Sequence, residues 1–148
     1  MNRERYDLIG DITNTNFYFF SIGPKGVIWK KIEFKHLDNN QYNLCFGDWD
    51  DPLQKIDDLA RTNNKDRDKV FNTIASAVVE FLKHYPGACV SVRGSTPART
   101  RLFQMLIKAN WIELSMVVDI YGYLNGEWRQ IDRQKKYEAF MASKIKIF

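Results

Sequence analysis

The sequence predicts one α+β domain, in which helices pack on a mixed but mostly antiparallel sheet. The chain has 148 residues, of which 45% are hydrophobic and 14% are aromatic, and this is enough for a single domain spanning 1–148 with a substantial core. Several segments alternate between apolar and polar residues as strands do, and two have the three- and four-residue apolar spacing of helices. The predicted order is β-β-β-α-β-α-β-β, with a further strand favoured at the C-terminal end.

The first half of the chain predicts a meander of three strands. Segment 16–22 is rich in Phe and Tyr, and segments 27–35 and 41–46 alternate in the manner of a sheet with one wet side. A Gly-Pro-Lys-Gly turn at 23–26 joins the first two. The second strand has a lysine on its apolar face, which is formed by Ile28, Lys30, Ile32 and Phe34.

Two helices are predicted in the second half, at 66–84 and 98–109. Asn64 or Asp66 is expected to cap the first helix, and Pro86-Gly87 is expected to end it. A short strand at 88–93 separates the two. The apolar positions expected to face the core are Val70, Ile74, Ala77, Val78, Phe81 and Leu82 in the first helix, and Leu102, Met105, Leu106 and Ala109 in the second.

The C-terminal third predicts a hairpin. Segment 111–121 alternates cleanly and is expected to be a strand, with a return strand at 127–131 after Asn125-Gly126. A strand is also favoured within 137–148. The core-facing residues expected from the alternation are Ile112, Leu114, Met116, Val118 and Ile120.

Composition and charge limit the functional classes. No apolar run is long enough to span a bilayer, and no secretory signal precedes the domain, so a cytoplasmic protein with buried free thiols at Cys45 and Cys89 is expected. The net charge of +4 is uneven, because aspartates concentrate at 38–68 whereas 93–108 carries only cations. This pattern suits an anionic partner or pairing across a homodimer, and a solvated surface is the alternative.

The most specific candidate site is the strand–turn–helix segment 92–101. Free N–H groups at a helix start bind anions, and arginine adds charge-assisted hydrogen bonds, so phosphate or a nucleic-acid backbone is the fitting ligand. The alternative is an ordinary Thr-Pro helix start whose arginines pair with the acidic segment. The candidate binding residues are Arg93, Gly94, Ser95, Thr96, Arg99 and Arg101.

A weaker candidate is the 23–26 turn, with Lys25 and Lys30 as secondary contacts beside Trp29. A simple hairpin is the alternative. The acidic segment lacks the glycine and ligand spacing of a calcium loop, and the chain contains no zinc, nucleophile-elbow or dinucleotide motif. No metal, cofactor or catalytic residue is therefore predicted from motifs.

Four strings resemble an uncharacterised family of small bacterial proteins. They are Gly-Pro-Lys-Gly at 23–26, Tyr-Asn-Leu-x-Phe-Gly-Asp at 42–48, Thr-Asn-Asn at 62–64, and Gly-Ser-Thr-Pro-Ala-Arg-Thr-Arg-Leu-Phe-Gln at 94–104. The resemblance covers nearly the whole chain. It implies a common fold and brings no established activity.

The order of elements is also similar to the core of the acetyl-CoA-dependent N-acetyltransferases. In that family a glycine-rich loop before the first core helix cradles the pyrophosphate of the cofactor, and 61–66 falls at that place here. The resemblance implies a degenerate cofactor loop at Arg61, Asn63 and Asn64, in which Asp66 would set a carboxylate against the pyrophosphate. Phe103 lies on the second helix, where the family often has a tyrosine as general acid.

Three functions follow from the sequence, in order of preference. The first is a binding module without catalysis that recognises RNA or DNA backbone or phosphate at 94–101, in the manner of a toxin–antitoxin or defence component. The second is an acyltransferase that uses acetyl-CoA. The third is a homodimeric interaction protein, in which the acidic segment of one copy meets the basic half of the other.

Overall fold

The computed structural model of the chain describes residues 4–57, 64–94, 96–132 and 134–145. Over these residues, three helices and nine strands form an α+β fold with an open, mostly antiparallel sheet. The elements are β1 (Ile9–Gly10), β2 (Asn16–Gly23), β3 (Gly26–Asp38), β4 (Gln41–Asp50), β5 (Lys55–Asp57), α1 (Arg67–His84), β6 (Cys89–Val92), α2 (Pro97–Ala109), α3 (Trp111–Ser115), β7 (Val118–Leu124), β8 (Glu127–Gln130) and β9 (Ala139–Lys144).

The sheet has the order β1-β2-β3-β4-β6-β9-β7-β8, with β5 paired to the end of β4. The predicted meander is confirmed as β2, β3 and β4, and the strand favoured near the C-terminus is confirmed as β9. Asn125 and Gly126 both have the positive φ angles of the predicted tight turn between β7 and β8. Among the described strands, β4 and β6 form the one parallel pair, and α1 connects them.

The parallel pair is short, and its two strands diverge. Residues 41–43 of β4 pair with 89–91 of β6, after which β6 ends and the chain turns towards α2. Strand β4 continues, and its residues 48–50 pair with β5. Within the described residues, the stretch 44–47 therefore has no strand alongside it on this edge.

The core lies between the sheet and the helices, which pack on one face. Phe81 of α1 is fully buried, and its ring centroid lies 4.3 Å from that of Phe34 and 4.8 Å from that of Tyr42. A second cluster joins α1, α2 and α3 to β9 through Leu106, Leu114 and Phe140. The opposite face of the sheet has no helix on it in the described part of the chain.

The prediction of a strand over 111–121 is wrong in its first half. Residues Trp111–Ser115 form α3 immediately after α2, and the strand begins only at Val118. Leu114 and Val118 are buried as expected, and Ile120 is half-buried, whereas Ile112 is 76% exposed and Met116 is also exposed. Ile112 and Met116 are four positions apart and therefore share one side of a helical turn, and here that side faces solvent.

Three smaller expectations also need correction. In α2, Leu102 and Leu106 face the core, but Met105 and Ala109 are exposed and Ile107 is buried in their place. Asp66 is the N-cap residue of α1, but neither its carboxylate nor Asn64 caps the helix. Cys45 and Cys89 are free thiols as expected, but they are half-buried in the sheet and not fully buried.

None of the helices in the described part has the length and apolar character needed to cross a bilayer.

Candidate functional site

The divergence of β4 and β6 opens a cleft of about 480 Å³. Its walls are residues 43–48 of β4, residues 92–94 at the end of β6, and the facing sides of α1 and α2. Both helix starts reach the cleft, because the chain enters each helix at the same end of the parallel pair. The charged lining residues are Lys30, Asp48, Asp66, Arg67, Arg93 and Arg99.

The cleft brings together residues from the three candidate sites predicted from the sequence: the anion site, the secondary contacts and the degenerate cofactor loop. Arg93, Gly94 and Arg99 line it, and so do Asn64 and Lys30. Of the other candidates, Arg101 is exposed on α2, Thr96 is half-buried at the helix start, and Lys25 is exposed in the β2–β3 turn. The candidates Arg61, Asn63 and Ser95 lie outside the described residues.

The small residues of the predicted anion site form hydrogen bonds within the start of α2. Thr96 Oγ1 accepts a hydrogen bond from the Arg99 N–H at 3.2 Å, as a helix cap does. The Gly94 N–H donates to Thr100 Oγ1 at 3.0 Å, and a Cβ on Gly94 would overlap the backbone of Thr100. Positive charge at this end of the cleft therefore comes from the Arg93 and Arg99 side chains.

Lys30 forms an ion pair with Asp48 on the cleft wall. The register of the sheet places the two residues directly opposite each other, and the Lys30 ammonium donates to the Asp48 carboxylate. Lys30 is only 7% exposed, and its Nζ lies 5.8 Å from the centre of the Phe46 ring. A lysine can remain at this core-facing position because a carboxylate meets its charge there.

Asn64 fastens the connection before α1 to the β2–β3 turn. Its buried side-chain amide donates to Ser21 Oγ at 3.1 Å and to the Gly26 carbonyl at 2.9 Å, and its carbonyl oxygen accepts from the Lys25 N–H at 2.7 Å. A Cβ on Gly23 would overlap the backbone carbonyl oxygen of Asn64, so the close approach of the two segments requires glycine at position 23. The Asn64 side chain thus has a structural role beside the cleft.

Asp66 extends the same network to the N-terminal segment. Its Oδ2 accepts hydrogen bonds from Ser21 Oγ at 2.5 Å and from the Tyr6 hydroxyl at 2.6 Å. Burial raises the pKa of Tyr6, and the hydrogen bond to Asp66 acts in the same direction. One oxygen of Asp66 is therefore directed at β2, although the residue also lines the cleft.

Residues 44–47 of β4, which have no strand beside them among the described residues, direct backbone groups to the cleft. The Cys89 N–H donates to the Asn40 carbonyl at 2.8 Å, which shows that even-numbered residues here direct their backbone polar groups towards β6. Leu44 and Phe46 follow the same alternation, at the place where the strands have separated. An extended ligand with amide groups can form strand-like hydrogen bonds along such an edge.

Sequence reasoning missed Asp48 and Arg67 as residues that share the cleft, and it named Phe103 only through the resemblance to the acetyltransferases. The one available signal was Lys30, a cation on an apolar strand face, because such a residue needs a partner. Its partner is 18 positions away and depends on the strand register.

A family of unknown function (DUF6934) matches residues 2–145 of the chain. The chain belongs to this family. Membership confirms the resemblance to an uncharacterised family that the strings at 23–26, 42–48 and 94–104 indicated. Neither curated proteins nor solved structures include a match to the chain. Its function is therefore argued from the cleft.

Proposed function

We propose that the protein is a binding module for a small anionic ligand, held in the cleft between β4 and β6. The divergence of these two strands is the observation that carries the proposal. Ligands of open sheets that contain parallel strands bind at the carboxyl ends of those strands, where neighbouring strands separate. In this chain the cleft occupies that position.

The charge of the lining favours an anion. Lys30 and Asp48 neutralise each other, and Asp66 accepts hydrogen bonds from Tyr6 and Ser21. The other charged lining residues are all arginines, namely Arg93, Arg99 and Arg67, of which Arg67 also lies 3.6 Å from the carboxylate of its exposed neighbour Asp68. Guanidinium groups bind phosphate and carboxylate oxygens through charge-assisted hydrogen bonds, which are the stronger kind.

The dimensions of the cleft favour a small molecule over a polymer. Its volume of about 480 Å³ lies within the usual range for small-molecule pockets. Leu44, Phe71 and Phe103 contribute apolar surface to it, so the ligand should have an apolar part as well as its charge. A nucleic-acid backbone would instead lie along the outer helix start, where Arg101 is exposed.

Acyl transfer from acetyl-CoA is the second candidate function. The observation that favours it is the edge of β4 at Leu44 and Phe46. No described strand pairs with this edge, and an amide-bearing arm such as that of coenzyme A can do so. The described part of α2 offers Phe103 to the cleft, and a phenyl ring cannot donate a proton to a leaving thiolate. We therefore propose binding, and we assign no catalytic residue.

Calorimetric titration with three ligands separates a small-anion site in the cleft from a nucleic-acid site on the outer helix start. Coenzyme A, inorganic pyrophosphate and a mixed-sequence RNA would each be titrated at about 50 and 200 mM salt, a range in which phosphate contacts to nucleic acid weaken strongly. The variants are Arg99→Ala and, as the matched control on the same helix, Arg101→Ala. Only the first removes a cleft-lining side chain.

We expect coenzyme A to bind the wild type and Arg99→Ala to weaken that binding about tenfold or more, since a charge-assisted hydrogen bond contributes about 1.5 to 3 kcal/mol. Arg101→Ala should leave the affinity unchanged. RNA binding that falls steeply with salt and depends equally on both arginines would replace the cleft with a nucleic-acid site. Failure of all three ligands to bind would contradict an anionic ligand altogether.

A further inference from the structure

The open face of the sheet has an aromatic patch on β2, β3 and β4, formed by Tyr18, Phe20, Trp29 and Trp49. The ring centroid of Tyr18 lies 5.9 Å from that of Trp29 and 5.9 Å from that of Trp49. The ring centroid of Phe20 lies 5.4 Å from that of Trp29. The four rings are thus continuous. They lie on the side opposite to α1, because their strand neighbours Phe19 and Phe34 face the core.

The patch continues to the β2–β3 turn as an exposed apolar surface. Phe20 and Trp29 are each 40% exposed, and the cross-strand pair Ile22 and Val27 is 63% and 66% exposed. Ile9 of β1, opposite Tyr18, is exposed as well. Contiguous exposed apolar surface of this kind marks an interaction site.

Lys31 and Glu33 pair with each other beside the rings, and Lys35 continues the same face of β3 as an exposed cation. Lys31 lies over the Trp49 ring, with Nζ 4.3 Å from its centre, and its side chain is only 12% exposed. Its Nζ is also 3.8 Å from Glu33 Oε1. A strand of nucleic acid needs accessible cations beside stacking rings. The cation over the rings is paired, and the exposed surface that continues from the rings to Ile22 and Val27 is apolar, so the patch suits an apolar protein surface better.

The far end of the same face is also aromatic. Tyr123 of β7 and Trp128 of β8 are cross-strand partners with ring centroids 5.1 Å apart, and Trp128 is exposed. Met141 of β9 is opposite Tyr121, on the same side. Polar residues lie between the two aromatic ends of the face: Asn43, Ser91, Asp119 and Ser143.

The size of the open face fits a stable interface. Eight strands spaced about 4.8 Å apart, with about five residues each at about 3.3 Å, present roughly 600 Å² per copy. Two copies would bury roughly 1,200 Å², which reaches the lower limit for specific stable complexes. Two sheets can also pack face to face in this way, about 10 Å apart.

We propose that a second copy of this chain packs on the open face and covers the aromatic patch. A two-fold dimer needs a self-complementary surface, and this face has an aromatic surface at both ends, with Lys31 beside the rings paired to Glu33. This interface differs from charge pairing between the acidic and basic segments. None of the four rings of the patch lines the cleft, and the helices that line it lie on the other side of the sheet, where the interface leaves them accessible.

Sedimentation velocity from about 1 to 200 µM tests the proposal, since a specific dimer should form within this range. The wild type should be dimeric at the higher concentrations. Ile22→Lys and Val27→Lys should each weaken the dimer at least tenfold, because a lysine would be buried without a partner. Ile112→Lys, at an apolar position on α3 that is even more exposed, is the control and should leave the dimer unchanged.

A second measurement uses the wild type alone. Acrylamide quenching of its tryptophan fluorescence should decrease as the protein concentration rises, because Trp29 and Trp128 become covered. A wild type that is monomeric at about 200 µM would overturn the proposal. So would a dimer that both lysine variants leave intact, or a monomer whose tryptophan fluorescence is quenched by single-stranded RNA.

Discussion

Lys30 is at a position that the alternation of β3 assigns to the core, and its side chain stays there because Asp48 lies opposite on β4. The sequence predicts the face of Lys30 correctly, together with the apolar neighbours Ile32 and Phe34. It does not predict Asp48, since the register of β3 against β4 shifts at an irregularity between His36 and Asp38. One residue added to a strand changes every later pair.

Removal of Asp48 should destabilise the protein more than removal of Lys30. Asp48→Ala leaves a buried ammonium without its partner, and we expect a loss of about 3 kcal/mol in the free energy of unfolding, the low end for broken buried pairs. Lys30→Met should lose less, because the Asp48 side chain is 20% exposed and can be hydrated. Urea unfolding of both variants measures the difference.

Glu33→Ala is the control for that comparison. Glu33 pairs with Lys31 at 3.8 Å on the solvent side of the same strand, and such pairs contribute about 0 to 1 kcal/mol. If Asp48→Ala were no more destabilising than Glu33→Ala, the Lys30–Asp48 pair would not be the buried contact described above.

Asn64 shows a second limit of sequence reasoning at the residue scale. Resemblance placed it in a degenerate cofactor loop, and it does lie at the cleft. Its side chain, however, holds the β2–β3 turn through Ser21, Gly26 and Lys25. These contacts join positions about 40 residues apart, and no local pattern reveals them.

At the scale of elements, α3 shows why alternation misleads over a short segment. Five residues fit both a strand and one and a half turns of helix, so their apolar pattern alone does not distinguish the two. Asn110 ends α2, and the chain re-enters a helix at once, with the Leu114 N–H bonded to the Asn110 carbonyl. Of the segment predicted as a strand, only the part from Val118 onwards forms one.

Alanine substitutions distinguish the helix from the strand in solution. Leu114→Ala removes a buried side chain and should cost about 2 to 5 kcal/mol of stability. Ile112→Ala should change the stability by less than about 0.5 kcal/mol, because Ile112 faces solvent on α3. Chemical denaturation measures both, and comparable large losses for the two variants would indicate the strand.

The elements that the sequence predicted well are those with local signals. Strands β2 to β4, helices α1 and α2, and the Asn125-Gly126 hairpin rest on periodicity, caps and turn residues. The insertion of β9 between β6 and β7 has no such signal. It depends on pairs such as Val92 with Phe140, which are distant in sequence and compete with other registers.

At the scale of the whole molecule, β4 and β6 diverge, and two helix starts that are far apart in the sequence line the cleft between these strands. Asn64 and the segment around Arg93 and Arg99 belong to two different helix starts, and both line one cleft. The sequence indicated an anion site at one helix start and a degenerate loop at the other. Their proximity follows from the parallel pairing of β4 and β6, which a helix of 18 residues connects.

The two faces of the sheet have separate roles in this account. The helical face forms the cleft, and the open face offers the aromatic patch to a second copy. Substitutions at Ile22 or Val27 should therefore alter the association state without altering ligand affinity. Substitution of Arg99 should have the opposite effect.

The most direct test of the cleft as a binding site is an amide chemical-shift titration of the isotope-labelled protein with coenzyme A. The account predicts shifts at the amides that line the cleft, namely Leu44, Phe46, Arg93, Gly94 and Arg99, and unchanged indole signals from Trp29 and Trp128 on the open face. Shifts confined to the open face, or no shifts at about millimolar ligand, would contradict it.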